Sequence, residues 1–237
     1  MSDYFIGRGI VYVAQIDTGA PKGFVDLGNC PALVIAPGTR GIRNVTNPEV
    51  MGKLLPQASI GRVNITFDEL NAHNLAQAFY GGEVTQNAGT ASNESVPVYT
   101  GKFCPTAHID ISSVTVSGKS EGIHYTVEPS GGLHVISGVG AEGENWTVTY
   151  NYGAHNITAA FSKAPELLWV RFNGINVAES SKKVVLDIYK VRFSPVNNVP
   201  LIGDFFTALT LNGKILYDET KSDDTTWGRF FRMRLAG

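Results

Sequence analysis

The stretch from Val63 to Gly82 reads VNITFDELNAHNLAQAFYGG and contains two periodicities in succession. It begins with apolar and polar residues in alternation, as in a strand with one buried face. It continues with apolar residues at i, i+3, i+4 and i+7, which form one stripe of an amphipathic helix. Asp68 is a suitable N-cap, and Gly81-Gly82 stands where such a helix would end. We therefore predict a half-buried strand followed by one helix at about 69–80.

On both sides of this stretch the chain carries short strand patterns separated by glycine-rich turns. Alternation at this spacing is typical of an antiparallel β-meander or a β-sandwich. The clearest turn signal is Asn212-Gly213, because a type I′ hairpin turn needs positive φ at both positions. In the last long strand, we expect Tyr189, Val191 and Phe193 to share one face. The predicted strands cover 10–16, 32–35, 63–67, 96–103, 113–117, 124–127, 133–136, 146–152, 167–173, 184–193, 208–211, 214–217 and 231–235.

The composition fits a β-rich chain. Of the 237 residues, 43% are apolar, 17% are charged and 26 are glycine, a balance that suits short strands joined by turns. We expect a single domain over 1–237, with a long loop at 36–57, a mobile polar segment at 83–95 and a β-meander at about 105–155. The sequence shows no membrane helix and no signal-peptide pattern, so we expect a protein that folds in the cytoplasm of the cell that makes it.

The charge balance bears on nucleic acids. The formal net charge is -2, and the chain is not basic enough for a dedicated nucleic-acid clamp, because phosphate binding requires clustered Lys and Arg. Any encounter with DNA should therefore be passive and non-specific.

The periodic pattern is lost in the loop at 36–57. A loop of about 20 residues is long for a compact domain, and such loops are usually functional or disordered. Apolar residues scattered through an exposed loop suggest a surface that becomes buried against a partner. A loop that folds back on its own domain is the alternative. The candidate assembly residues are Arg40, Ile42, Arg43, Val50, Met51, Lys53 and Leu54.

One motif associated with cofactors occurs at Gly138–Gly143, which fits G-x-G-x-x-G. A dinucleotide site requires those glycines between a parallel strand and a helix, but a strand pattern follows here, so we predict a hairpin turn. Cys30 and Cys104 lack a CxxC pattern and are expected to be buried thiols. No histidine pair has metal-ligand spacing. We predict no catalytic residue, no cofactor, no metal site and no enzyme activity.

Arg229, Arg232 and Arg234 form the one basic cluster of the sequence. Two interpretations stay open for it. The arginines could be the solvated face of a terminal strand, or an arm that pairs with acidic groups on a neighbouring copy.

The order of these features resembles that of the major tail tube proteins of long-tailed bacteriophages. The similarity includes the family's first hairpin with a leucine-glycine-asparagine turn, its inter-ring stacking loop at 36–57 and its single helix. A central block is similar to the family's tyrosine-threonine-valine-acid strand and valine-threonine-tyrosine strand. His124 departs from the pattern, since an aspartate is common there. The matching segments are Gly7–Ala14, Gly23–Cys30, Asn74–Ala76 with Gly81, Val114–Val116, His124–Glu128, Gly131–Leu133 and Trp146–Tyr152.

This resemblance implies a fold and a function. The fold would be a two-sheet β-sandwich or distorted barrel with one flanking α-helix. Six copies would form a ring, and rings would stack into a hollow tail tube of the virion through which DNA passes. The expected partners are further copies of the chain, a tape-measure protein, and tail-terminator and baseplate proteins. The family is also related to the tubes of type VI secretion.

A different interpretation is a β-sandwich carbohydrate-binding or adhesion module of a virion. Such sites often expose a row of aromatic side chains, and Trp146, Tyr150 and Tyr152 share one face of a predicted strand. A third interpretation, an enzyme with a dispersed site, would require two carboxylates across a cleft, and no spacing in the sequence shows such a pair.

Overall fold

The computed structural model describes residues 4–38 and 61–237. Within these ranges the fold is mainly β, with several antiparallel sheets and one helix, as the sequence predicts. The chain forms two compact units. Unit 1 contains both ends of the chain, and unit 2 is the segment 83–158 between them. The single domain over 1–237 stays a prediction.

Unit 1 is built on one large antiparallel sheet. Before unit 2 the elements are β1 (Gly7–Asp17), β2 (Ala20–Pro21), β3 (Val25–Asp26), β4 (Ala32–Ala36), β5 (Gly61–Phe67) and the helix α1 (Ala72–Phe79). After unit 2 they are β14 (Leu168–Asn176), β15 (Lys182–Ser194), β16 (Leu209–Ile215) and β17 (Phe231–Leu235). Across the sheet the described strands follow the order β2-β1-β14-β15-β16-β5-β4, while β3 pairs with β1 and β17 pairs with β15.

The core of unit 1 lies on one face of this sheet. Alternate residues of five strands meet there in one apolar cluster, and Ala78 of α1 and Leu27 cover them. Burial of this apolar surface is the dominant favourable term in folding, so the alternation in the sequence located this face correctly. The fully buried strand residues include Val63, Ile65, Phe67, Val170, Ile188 and Val191.

Helix α1 begins three residues later than predicted. Its N-cap is Asn71, whose side chain accepts a hydrogen bond from the backbone N–H of Asn74 at 2.8 Å. Asp68 and Glu69 instead bind Asn29, through its side-chain amide at 2.7 Å and its backbone N–H at 2.9 Å. The predicted helix start was wrong because a segment across the fold uses these two carboxylates.

The end of α1 also differs from the prediction. Tyr80, and not Gly81, adopts the left-handed conformation that ends the helix, with φ 52°. Immediately afterwards, the N–H of Gly82 donates to Ser162 Oγ at 2.6 Å, and the N–H of Lys163 donates to Tyr80 O at 2.9 Å. The points where the chain leaves and re-enters unit 1 are therefore adjacent.

The predicted shared face of Tyr189, Val191 and Phe193 is wrong. The register of β14 and β15 shifts between Leu168 and Val170, as at a β-bulge. A bulge inserts one extra residue and so reverses the faces of the residues before and after it. Val191 and Phe193 lie in the core, whereas Tyr189 lies with Ala14 and Trp169 in a separate cluster.

The predicted hairpin turn at Asn212-Gly213 is also wrong. Both residues lie inside β16, which pairs with β15 on one side and β5 on the other. A Cβ on Gly213 would lie 2.7 Å from Val191 Cγ1 and 2.9 Å from Val63 Cγ1. Glycine stands here because neighbouring side chains cross over its backbone, and not because the chain turns.

Unit 2 contains two three-stranded sheets and one two-stranded sheet. The strands are β6 (Gly82–Gln86), β7 (Gly89–Pro97), β8 (Phe103–Pro105), β9 (Ile111–Val116), β10 (Tyr125–Glu128), β11 (Gly132–Val135), β12 (Asn145–Tyr152) and β13 (His155–Ala159). The strand orders of the three sheets are β10-β11-β8, β7-β12-β9 and β13-β6.

The polar segment at 83–95, expected to be mobile, forms β6 and most of β7. It is hydrogen-bonded across the strands through side chains, with Thr90 Oγ1 donating to Asn151 Oδ1 at 2.7 Å and the backbone N–H of Asn93 donating to the side-chain Oγ1 of Thr149 at 3.1 Å. Cross-strand polar pairs of this kind stabilise a sheet without apolar alternation, which is why the periodicity missed it.

The glycine motif at Gly138–Gly143 is followed by strand β12, which excludes a dinucleotide site of the strand-turn-helix type. It is not the predicted hairpin turn either. It connects β11 to β12, and these strands belong to different sheets.

Candidate assembly surface

The seven candidate assembly residues of the long loop, from Arg40 to Leu54, lie outside the described residues. Their role stays a prediction. The described parts of the chain contain a different apolar surface, and it lies wholly in unit 1.

A loop between β15 and β16 presents four large apolar side chains to solvent. We call Leu201, Ile202, Phe205 and Phe206 the apolar knob. Their exposed fractions are 82%, 96%, 92% and 97%. Side chains of this size cost free energy in water, at about 25 cal/mol per Å² of apolar surface. The knob is therefore surface that burial against a partner would stabilise.

The loop that carries the knob is anchored at its base. Val196 and Val199 pack against the core of unit 1, and the N–H of Val196 donates to Ala78 O at 3.0 Å. Thr207 Oγ1 donates to Pro200 O at 2.7 Å and closes the loop behind the knob. These contacts join both ends of the loop to unit 1, while the knob side chains themselves remain exposed.

An apolar groove of about 670 Å³ opens elsewhere on unit 1. Residues of β1, β4, β14, β15 and β17 line it, together with Phe5 and the segment 29–31 between β3 and β4. Its lining includes Phe5, Arg8, Leu33, Val34, Phe172 and Met233. Several of these are themselves half exposed, with Phe5 at 55%, Val34 at 53% and Met233 at 51%. We call this cleft the apolar groove.

The thiol of Cys30 also lines the apolar groove. Burial, with a smaller contribution from the carboxylates of Asp26, Asp68 and Glu69, raises its pKa to about 11. A thiol with this pKa is almost fully protonated at neutral pH and is a weak nucleophile. Cys104 is buried in unit 2, as predicted, whereas Cys30 is only partly buried.

Two arginines of the basic cluster have an acidic partner within their own chain. Arg232 Nε and Arg234 Nη2 donate to Asp187 Oδ2 of their own chain at 3.2 and 2.9 Å, and Arg171 Nη1 donates to Asp187 Oδ1 at 3.0 Å. Asp187 is fully buried. Arg232 and Arg234 therefore connect β17 to β15, and Arg171 connects β14 to β15. Arg229 lies instead over the ring of Tyr217, 5.1 Å from its centroid.

A cluster of aromatic side chains continues this face of the sheet. Trp169 and Tyr189 meet edge to face with centroids 5.0 Å apart, and Lys221 Nζ lies 5.0 Å from the Trp169 ring and 5.8 Å from the Trp227 ring. Lys221 also donates to Gly19 O at 2.8 Å. Burial raises the pKa of Tyr189 to about 12, although the guanidinium of Arg232 acts in the opposite direction. The rings and the ammonium group of this cluster contact one another within unit 1, so we assign the cluster a structural role.

The aromatic row that suggested a carbohydrate site is largely internal. Trp146 and Tyr150 are 4% and 1% exposed and lie in the core of unit 2. Tyr152 stacks on His108, with ring centroids 3.7 Å apart. Burial and the hydrogen bond to Glu94 raise the pKa of Tyr150 to about 12. A sugar ring could not stack on these faces.

Two further properties concern metals and membranes. Over residues 4–38 and 61–237, His, Cys, Asp and Glu side chains form no group of three or more that could hold a metal ion. The helix of the described chain is too short to cross a membrane.

Sequence reasoning missed the apolar knob, although a signal was present. Leu201-Ile202 and Phe205-Phe206 are two apolar pairs in a glycine- and proline-containing stretch without strand alternation. The same criterion that selected the loop at 36–57 selects this one. The groove had no such signal, because it forms only when β1, β4 and β17 meet.

The fold and these surfaces define a mainly-β protein with an exposed apolar loop. The chain belongs to the family described as protein of unknown function UCP028589, which matches residues 4–234. None of the curated proteins matches the sequence. That description carries no function, so function is inferred from the surfaces themselves.

Proposed function

We propose that this protein is a self-assembling structural subunit of the tail-tube type. The observation that carries the proposal is the apolar knob, four large apolar side chains at 82–97% exposure on an anchored loop. Isolated apolar residues are common on protein surfaces, but a contiguous group of this size marks a surface used for association.

The architecture of unit 1 supports the same function. Strand β4 is the last strand of the sheet in the described order, and the exposed side chain of Val34 lies on it. An unpaired sheet edge is a template for pairing with another chain, and closed rings of subunits remove such edges. Assembly would therefore bury the apolar side chains of the knob and pair the edge strand of the described sheet.

The finer function follows the sequence resemblance. Copies would close into hexameric rings, the rings would stack into a hollow tube in a phage tail, and DNA would pass through it without specific contacts. The loop with Arg40 and Met51 would then contact the next ring. The further partners would be tape-measure, tail-terminator and baseplate proteins. A carbohydrate-binding role has no supporting observation, since Trp146 and Tyr150 are buried.

The test is the state of association of the purified full-length chain. Light scattering and negative-stain microscopy over a range of protein and salt concentrations should show rings or tubes, with a mass that rises with concentration. Increased salt should promote assembly, because salting-out ions strengthen apolar burial. A chain that stays monomeric under all these conditions would refute the proposal.

A further inference from the structure

We infer that the apolar knob of one copy docks into the apolar groove of a second copy. This inference rests on the proposed function, since it specifies which surfaces carry the self-association. The knob and the groove belong to the same unit, but they are different surfaces. None of the groove-lining residues comes from the knob. The knob side chains are at least 82% exposed, so they do not fill the groove of their own chain.

The sizes of the two surfaces are compatible. Each fully buried phenylalanine removes about 150–250 Å² from water, so Phe205 and Phe206 alone would bury about 300–500 Å². One partner in a standard protein interface contributes about 800 Å². With Leu201 and Ile202, the knob can supply a large part of that area. A groove of about 670 Å³ is large enough to receive aromatic side chains.

Charge restricts how the two surfaces can meet. Asp204 lies beside Phe205 in the loop and is exposed. The groove is lined by the guanidinium of Arg8, while the carboxylates of Asp26, Asp68 and Glu69 lie near the lining thiol of Cys30, so charge favours Asp204 beside Arg8 and disfavours it beside those carboxylates. An apolar anchor surrounded by a few opposite charges is the usual composition of a specific interface, in which charge sets orientation.

The contact has a defined symmetry. Because a knob meets a different surface on its partner, the interface is heterologous, and each copy still has one free knob or one free groove. Such contacts continue until a ring closes, or extend without limit as a filament. A knob that met another knob would instead give an isologous dimer and stop.

Two experiments test the inference. In the first, the double substitution Phe205→Asp and Phe206→Asp is compared with Ile123→Asp, which places a charge at a residue of unit 2 that is 64% exposed. The knob variant should raise the concentration needed for half-assembly by at least about tenfold, because buried aromatic anchors carry most interface energy. The Ile123 variant should assemble like the wild type.

The second experiment identifies the occupant of the groove. A Cβ added at Gly203 would meet no heavy atom within 4 Å, so Gly203→Cys is sterically free. This variant is mixed with a Val34→Cys variant, both in a Cys30→Ser background, and oxidised. A disulfide-linked dimer should form in the mixture and in neither variant alone. Crosslinking of Gly203→Cys with itself would show an isologous contact and overturn the inference.

The outcomes separate the two proposals. If the wild type is monomeric throughout, both the proposed function and this inference fail. If the wild type assembles but the knob variant assembles equally well, only the inference fails. Residues 39–60 come soon after β4 in the chain and are the competing occupant. Assembly without any mixed crosslink would overturn the inference.

Discussion

At the scale of single residues, Asp187 has the largest number of charged partners in the described chain. Its carboxylate is fully buried and accepts hydrogen bonds from Arg171, Arg232 and Arg234. A buried ion pair often adds little net stability, because desolvation of the charges opposes their attraction. Removal of one partner is strongly destabilising, because it leaves the other charges buried and uncompensated.

The substitution Asp187→Asn should therefore destabilise unit 1 by about 3–5 kcal/mol. Three guanidinium groups would lose the carboxylate that they share, and β17 would lose these side-chain bonds to β15. Urea denaturation followed by tryptophan fluorescence measures the effect. The matched control is Asp17→Asn, which breaks an exposed ion pair with Lys22 of 3.5 Å and should cost about 1 kcal/mol or less. Equal effects of the two substitutions would mean that Asp187 has no special structural role.

The sequence could not show this arrangement. The alternate positions of Arg232 and Arg234 indicated that the two side chains share a face, which was correct. Asp187 lies in a mainly apolar strand, and none of the residues next to it in the sequence identifies its arginine partners. The pairing of β17 with β15 brings the three residues together, and strand pairing over about 45 residues is not encoded in local periodicity.

At the scale of elements, alternation located most strands and the buried face, but it failed where the backbone departs from a regular strand. The bulge in β15 reversed the face of Tyr189, because a single extra residue changes the phase of a period of two. The Asn-Gly dipeptide failed for a related reason. A turn-forming preference is local, and the packing of Val63 and Val191 over Gly213 outweighs it.

Substitutions of Gly213 distinguish a central strand from a type I′ turn at this position. In the central strand β16, Gly213→Val should lower the melting temperature by several degrees, because overpacking a core costs about 1–3 kcal/mol. Gly213→Asn should also destabilise, since it would bury an amide without a partner. In a type I′ turn, by contrast, asparagine is well tolerated. Calorimetry measures the melting temperature of each variant and so distinguishes the strand from the turn. Gly203→Val is the control, because Gly203 has open space around it.

A melting temperature that is unchanged in Gly213→Asn but lowered in Gly213→Val would favour the turn and contradict the strand. Gly203→Val should stay within about 0.5 kcal/mol of the wild type, as surface substitutions usually do.

At the scale of the whole molecule, the surfaces proposed for assembly lie in unit 1, and unit 2 is a separate segment of the chain inserted into it. The apolar knob, the apolar groove and the Asp187 cluster all belong to unit 1, which is formed by the two ends of the chain. Unit 2 has its own apolar core, with Val98, Leu133, Val148 and Tyr150 almost fully buried. A segment with its own core, inserted at adjacent points of another, has the properties of an inserted domain.

The replacement of residues 84–157 by a short glycine-serine linker should therefore leave unit 1 folded. The hydrogen bonds of Gly82 to Ser162 and of Lys163 to Tyr80 show that the two ends are close enough for such a linker. Trp169 and Trp227 remain as fluorescent reporters, and the shortened protein should unfold in one cooperative transition with a blue-shifted native emission. The isolated segment 83–158, with Trp146 as reporter, is the companion sample. A shortened chain that binds hydrophobic dyes and melts without a transition would show that unit 1 depends on unit 2, and that the two form a single folding domain.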